Sequence, residues 1–463
     1  MSASPLWTVA KVARALGLSA SFPETSIEFV THDSRLVKPG SLFVALSGTP
    51  TGGFVSSFAS ARDGWEFAAL AESAGAVAMI VPHKIANVSV PQLVVKDTLL
   101  DGLWALARAG RARFNGPVIG LTGSAGKTST KEFIAAYPDA YASPSSFNNF
   151  WGVPLTLCNA DPHASVWVIE MGMNQAGEIS RLSDLAQPTV ATVINVQPVH
   201  LEKLGSLEAI RQEKVSIVRG LPESGVLVLP AGVETPEWTG KIVRFGAGTE
   251  VRELKHAAAG DSWQVSAEVC GNQREFVLTP GAPHRLQNAL AALASIHAAG
   301  LDESRLATEL GRVGIMSGRG VEQSAGGAIL IDDSFNGNPA SMVAALDSLK
   351  ARSMSKGRRI AILGDMLELG LEAPAYHKAL AKHLSGIDGV FCVGPLMRHL
   401  HDLLPADKEL GWHEDPATLD PKQIARLLRR DDVAVIKGSK KMFWVNKFVP
   451  RLIAALQEKA PTT

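Results

Sequence analysis

The sequence predicts an α/β protein of three modules around a parallel, helix-covered sheet. Three observations carry this. Apolar, strand-like runs alternate with helical patterns along the chain, the signature of parallel strands joined by crossover helices. One such run, PVIGLT, passes into a glycine-and-hydroxyl loop that closes on Lys127-Thr128, where a helix can start. The length of 463 residues suits two to four domains at about 100–200 residues each.

Composition narrows the function. With 46% hydrophobic and 19% charged residues, the chain buries real cores and is not disordered. Lys plus Arg (45) balances Asp plus Glu (45), so nothing draws it globally to nucleic acid or an anionic membrane. Cys158, Cys270 and Cys392 are odd in number and far apart, which points to reduced thiols. The opening MSASPLWTVAKVARALG does not read as a secretory signal, and no run of about 18 apolar residues suits a membrane span. A cytoplasmic protein is expected.

The first module is residues 1–114. WTVAKVARALG has helical apolar spacing with Gly17 as its stop. THDSRLVKPGSLFVALSG reads as a polar turn, a Pro-Gly turn and a strand. Residues 49–64, rich in Gly, Ser and Thr, predict an exposed loop. AALAESAGAVAMIV is helix then strand, DTLLDGLWALARAGRARF a further helix, and Asn115-Gly116-Pro117 a boundary.

The second module, residues 115–316, adds the strand runs SVWVIEM, TVATVINV, GVLVLP and KIVRF. SLEAIRQEKVSIVRGL and HRLQNALAALASIHAAG are helical, and WQVSAEVC with QREFVLTP predicts an antiparallel hairpin. The third, residues 317–463, has the strand runs AILIDD, RRIAILGD, GVFCVG and VAVIKG, with helices NPASMVAALDSLK and KKMFWVNKFVPRLIAAL.

The turn GSAGKTS (Gly123, Ser124, Ala125, Gly126, Lys127, Thr128, Ser129) has the build of a phosphate cradle. Glycines let backbone N–H groups approach phosphate oxygens, the helix N-terminus adds its positive end, Lys127 supplies a point charge, and a hydroxyl can hold Mg²⁺. Leu121 stands where the strict P-loop pattern wants glycine. An ordinary Gly-Ser turn is the alternative, and it leaves the Gly-Lys-Thr after a strand unexplained.

Ligands of parallel sheets bind at the carboxyl ends of strands, where Glu170 and His200 also fall. Glu170 either holds Mg²⁺ or is a solvated strand-end acid. His200 is a metal or phosphate contact or a satisfied loop residue. Lys214, on an amphipathic helix, reads by itself as a solvated lysine. Asp332 and Asp333 cap the next helix or serve a nucleotide, and Arg319 neutralises a phosphate across a cleft or is an exposed hinge residue.

In their order, DSRLVKPGSLFVALSG, GLTGSAGKTSTKE, FNNFWGVPLTLCN, EMGMNQAGEI, HLEKLGSLEAIRQEK, HRLQNALAALA, SGRG, DDSFNGNP and LGDMLELG resemble the Mur ligases. These are ATP-dependent amino-acid or peptide ligases of peptidoglycan precursor synthesis. The resemblance covers nearly the whole chain and is nearest to the branch that joins D-alanyl-D-alanine to UDP-N-acetylmuramoyl-tripeptide. It implies a central P-loop ATPase domain, an N-terminal domain for the UDP end, a Rossmann-like C-terminal domain, ATP and Mg²⁺ as cofactors, and a monomer. It implies that Lys127 contacts the β and γ phosphates, that Thr128, Glu170 and His200 surround the metals, and that Lys214 is carbamylated as a second metal support. Asn149 (with Asn148 as fallback), Asn288, Arg319, Asp333 and Asn336 would hold the nucleotide, and Ser34 and Arg35 the UDP end.

Four departures stand out: Ala125 where the family has Asn in the loop, Arg285 in place of Asn after His284, a longer stretch over residues 49–61, and GSKK in place of GSR. Three rivals follow: a sister ligase adding one amino acid (or a folate polyglutamylating relative), a P-loop regulatory or transport ATPase, and a catalytically dead binding protein. The diaminopimelate-adding sister carries D-N-P-R in its last domain, which this chain lacks.

Overall fold

Four short apolar runs, Phe29–Thr31, Ser41–Val44, Ala76–Val81 and Gln92–Val94, pair in that order as an all-parallel sheet. The computed structural model describes residues 5–55, 60–259, 262–279 and 284–459. The helix predicted from Asp97 onward opens as a wide π-helical turn, Thr98–Trp104, before Ala105–Arg111. Asp97 explains the start, because its carboxylate accepts from the Leu99 and Leu100 N–H groups.

The predicted loop over 49–64 is largely exposed where it is described, but it is anchored at one point. Phe54 is buried, stacked on Phe150 at 5.0 Å and beside Trp104 at 5.3 Å. Gln175 and Arg181 of the second module donate to Gly53 O and Gly52 O. One aromatic anchor outweighs the polar composition around it. Residues 56–59 of that stretch lie outside the described residues.

The central sheet has nine strands, with Val118–Thr122 fully buried between parallel partners Val190–Val193 and Val166–Glu170. Val226–Pro230 and Lys241–Phe245 continue it in parallel. The predicted hairpin, Ser262–Val269 with Asn272–Leu278, gains a third strand, Val251–Ala259. That strand lacks an apolar alternation, and most of it is solvent-exposed and held by backbone pairing.

The third sheet runs Val321–Ala325, Ala328–Asp333, Val433–Lys437, Arg359–Gly364, Gly389–Val393, Glu409–His413, antiparallel at its first pair and parallel at the rest among the described residues. The predicted helix from Lys440 is confined to Phe448–Lys459, since Lys447 takes a left-handed φ of 48° that a helix cannot continue.

Packing groups the sheets unequally. Buried side chains of one face of the first sheet and one face of the second form one core, in which Phe114 stacks on Trp167 at 4.4 Å. Burying a tryptophan of about 200 Å² contributes on the order of 5 kcal/mol before chain entropy is counted. Trp7 Nε1 donates to Cys158 O at 2.9 Å, and Asn159 pairs with both the N–H and the C=O of Val30 (2.8 and 2.9 Å). The third sheet has its own cores and meets the second through polar contacts and Leu201.

Candidate active site

The phosphate turn is shaped by the next strand's end. Asn195 accepts from Ala125 N–H at 2.9 Å and donates to Ala125 O at 3.0 Å. Ser124 Oγ donates to Gln197 O at 3.0 Å and accepts from Gln197 N–H at 2.9 Å. Gly126 takes φ 78° and lets Asn288 approach so closely that a Cβ would stand 2.5 Å from its Oδ1. The helix Lys127–Ala135 follows, and its first-turn N–H groups have no intrahelical partners. Lys127 Nζ folds back to donate to Gly123 O of its own turn at 2.7 Å. Burial pushes the Lys127 pKa down, Glu170 opposes this, and Arg319 adds to it.

Thr128 Oγ1 is the meeting point. It lies 3.4 Å from both Ser146 Oγ and Glu170 Oε1, and Arg319 Nη2 donates to it at 3.0 Å from the third module. Glu170 is 1% exposed. Its Oε1 accepts from Asn148 Nδ2 at 2.6 Å, while its Oε2 is buried without a partner. An orphan carboxylate oxygen is costly unless something cationic completes it. Among the described residues no three His, Cys, Asp or Glu gather as a metal cluster. The donor set still fits Mg²⁺, which takes one or two protein oxygens and fills the rest with phosphate and water. The Asn288 amide nitrogen is likewise buried without a partner beside Gly126.

Other expected residues fall less directly. Of the two asparagines, Asn148 reaches Glu170, whereas Asn149 Oδ1 accepts from Gly152 N–H at 2.9 Å at the start of helix Gly152–Asn159. His200, at a left-handed φ of 55°, faces Glu368 of the third module rather than Glu170. Lys214 is 1% exposed, and no hydrogen bond or ion pair reaches its amine among the described residues. Its isolated-lysine reading as a solvated side chain is therefore wrong. Burial pushes its pKa well down and Lys127 adds to this, with Glu213 opposing. Asp333 pairs with the buried Lys437 at 2.8 Å, and the same ammonium donates to Asn336 O at 3.1 Å. Asp332 is taken up by Gly318 and Ser334 N–H groups. Ser34 and Arg35 begin an exposed 3₁₀ turn, with Arg35 paired to Asp33 at 2.7 Å.

Asn195, Gln197, Ser146, Glu368 and Lys437 were not singled out by the sequence. Asn195 and Lys437 carried a readable signal, a polar residue at or just past the carboxyl end of an apolar strand. Asn195→Ala should weaken ADP binding on the order of tenfold in calorimetry, because two bonds worth about 1 kcal/mol each shape the turn. Unchanged affinity would show that the turn keeps its shape without them.

Comparison with known proteins follows the same outline. Residues 121–296 match the family described as the Mur ligase middle domain, and 319–440 the Mur ligase, glutamate ligase domain. The chain is 32% identical over 456 residues to UDP-N-acetylmuramoyl-tripeptide–D-alanyl-D-alanine ligase of Escherichia coli (strain K12), covering 94% of this chain and 95% of that protein. The Bacillus subtilis protein of the same description is 29% identical, with 84% of each covered. Among solved structures, MurF from Acinetobacter baumannii superposes with a TM-score of 0.82 at 26% identity, over 97% of this chain and 99% of that one. The MurF ligase of Thermotoga maritima in complex with ADP gives 0.76 at 26% identity, over 93% and 98%.

Proposed function

This chain belongs to the Mur ligase family, and on that premise we infer that it is an ATP-dependent ligase joining D-alanyl-D-alanine to UDP-N-acetylmuramoyl-tripeptide. The γ-phosphoryl of ATP passes to the tripeptide's terminal carboxylate, giving an acyl phosphate. The free amine of D-alanyl-D-alanine attacks it and releases phosphate. Bound Mg²⁺ would neutralise charge on the phosphates during that transfer. The observation that carries the reading is the meeting at Thr128 of the phosphate turn, the orphan oxygen of Glu170 and Arg319.

In this proposal Gly123 to Ser129 and Lys127 would cradle the phosphates, and Thr128, Glu170 and Lys214 as a carbamate would hold Mg²⁺, with His200 joining them once it turns from Glu368. Asn148 takes the fallback role by supporting Glu170. Asn288, Arg319, Asp333 and Asn336 hold the nucleotide from the second and third modules, and Ser34 and Arg35 hold the UDP end. The chemistry needs little beyond positioning and charge, since a triphosphate and a carboxylate repel until cations sit between them. The modules are proposed as residues 1–114 for the UDP-linked substrate, 115–316 for ATP and 317–463 for closure over the acyl phosphate, which water would otherwise hydrolyse. A cytoplasmic monomer is part of the same reading.

Phosphate release tests it. The full chain with ATP and UDP-N-acetylmuramoyl-tripeptide should turn over only when D-alanyl-D-alanine is added. Release with neither acceptor nor amine would make it a switch ATPase, and release with a single amino acid a sister ligase.

A further inference from the structure

We propose that Arg285 is a positioning residue that pins the linker into the third module and thereby sets where Arg319 arrives. The residue is only 7% exposed. Nε donates to Thr279 O at 3.1 Å, Nη1 to Gly314 O at 3.4 Å, and Nη2 to Val313 O. Its guanidinium carbon lies 4.8 Å from the ring centre of Phe133, a fully buried residue of the phosphate-turn helix. One cation thus joins the end of the antiparallel hairpin, the helix His284–Ala298, the linker and the nucleotide-facing helix. An asparagine, expected here by resemblance, is too short and has too few donors to do this, whereas a guanidinium is a planar fork of five.

The far end of the linker is fixed as well. Gly318 N–H donates to Asp332 Oδ2 at 3.1 Å and Gly320 N–H to Asp332 O at 2.7 Å. Residues 315–317 are what remains between the two anchorages, and Arg319 with its bond to Thr128 comes directly after the anchored Gly318. A pin at Val313-Gly314 shortens the segment that must be ordered each time the modules close, which lowers the entropy lost on closure. This rests on the reading that the third module closes over ATP.

The test compares Arg285→Asn and Arg285→Lys in the full chain. The Asn variant should be cut faster by trypsin after the exposed Arg312, with an ATP analogue suppressing the cut. Its KM for ATP should rise about tenfold with kcat within about twofold, since one or two released residues are re-ordered on binding. The Lys variant, keeping the charge but gathering its donors on one nitrogen instead of a planar fork, should fall between, and it decides the matter if the Asn variant does not fold. A folded variant with unchanged cleavage and unchanged KM overturns the pin. Wild-type protein that binds no ATP overturns the ligase reading instead, and the cleavage rates still decide the pin.

Discussion

Replacing Lys127 with alanine lowers kcat/KM for ligation by at least about 10³-fold while the melting curve stays where it was. The asymmetry follows from the structure. Lys127 Nζ makes one hydrogen bond, to the Gly123 carbonyl of its own turn, and packs no core. On the proposed assignment, its loss removes a charge from beside the phosphoryl being transferred. Affinity for UDP-N-acetylmuramoyl-tripeptide, measured by calorimetry, should hold, because Ser34 and Arg35, proposed to grip its UDP end, begin a turn of the first module. Normal turnover in this variant would take the phosphate turn out of the mechanism.

The second large effect is expected at Lys214. Lys214→Met keeps the length of the stem and should lower turnover by about 10²-fold or more, with thermal stability equal or higher. A buried amine with no partner costs stability as an ammonium. The sign with pH follows: the folded pKa is depressed, so the folded state binds fewer protons than the unfolded one. Stability of the unmodified protein therefore rises as pH climbs from the folded pKa toward the ordinary lysine value. The neutral amine is also the form that takes up CO₂, so wild-type activity should fall in CO₂-depleted buffer and return with bicarbonate. Activity indifferent to CO₂, together with a destabilised Met variant, would return Lys214 to a purely structural part.

What the sequence disclosed and what it hid divide along physical lines. Strands buried on both faces, such as Val118–Thr122 and Val166–Glu170, are continuous apolar runs, and their period and flanking turns locate them without help. The strand Val251–Ala259 gave no such signal, since pairing rather than burial holds it. Phe54 looked like part of a polar loop because one side chain carries its anchorage. At the site, the glycine turn and Glu170 were legible from type and spacing. Gln197 and Glu368 were not, because their importance lies in contacts made across the chain. Lys214 is the sharpest case. Spacing on an amphipathic helix puts it in solvent, and only the assembled core takes it out.

The continuous packing beneath the first two sheets also bears on how the reactants are aligned. On the proposed assignment, a substrate gripped at one end by the first module and a triphosphate lodged on the second would be registered by a single chassis, so their separation would be built in rather than found anew at each turnover. Cutting the gene at residue 114 would then not liberate a working handle. It would leave Phe54 and the faces of Trp7 and Trp104 as raw adhesive surface on one fragment, and the bare side of Trp167 on the other.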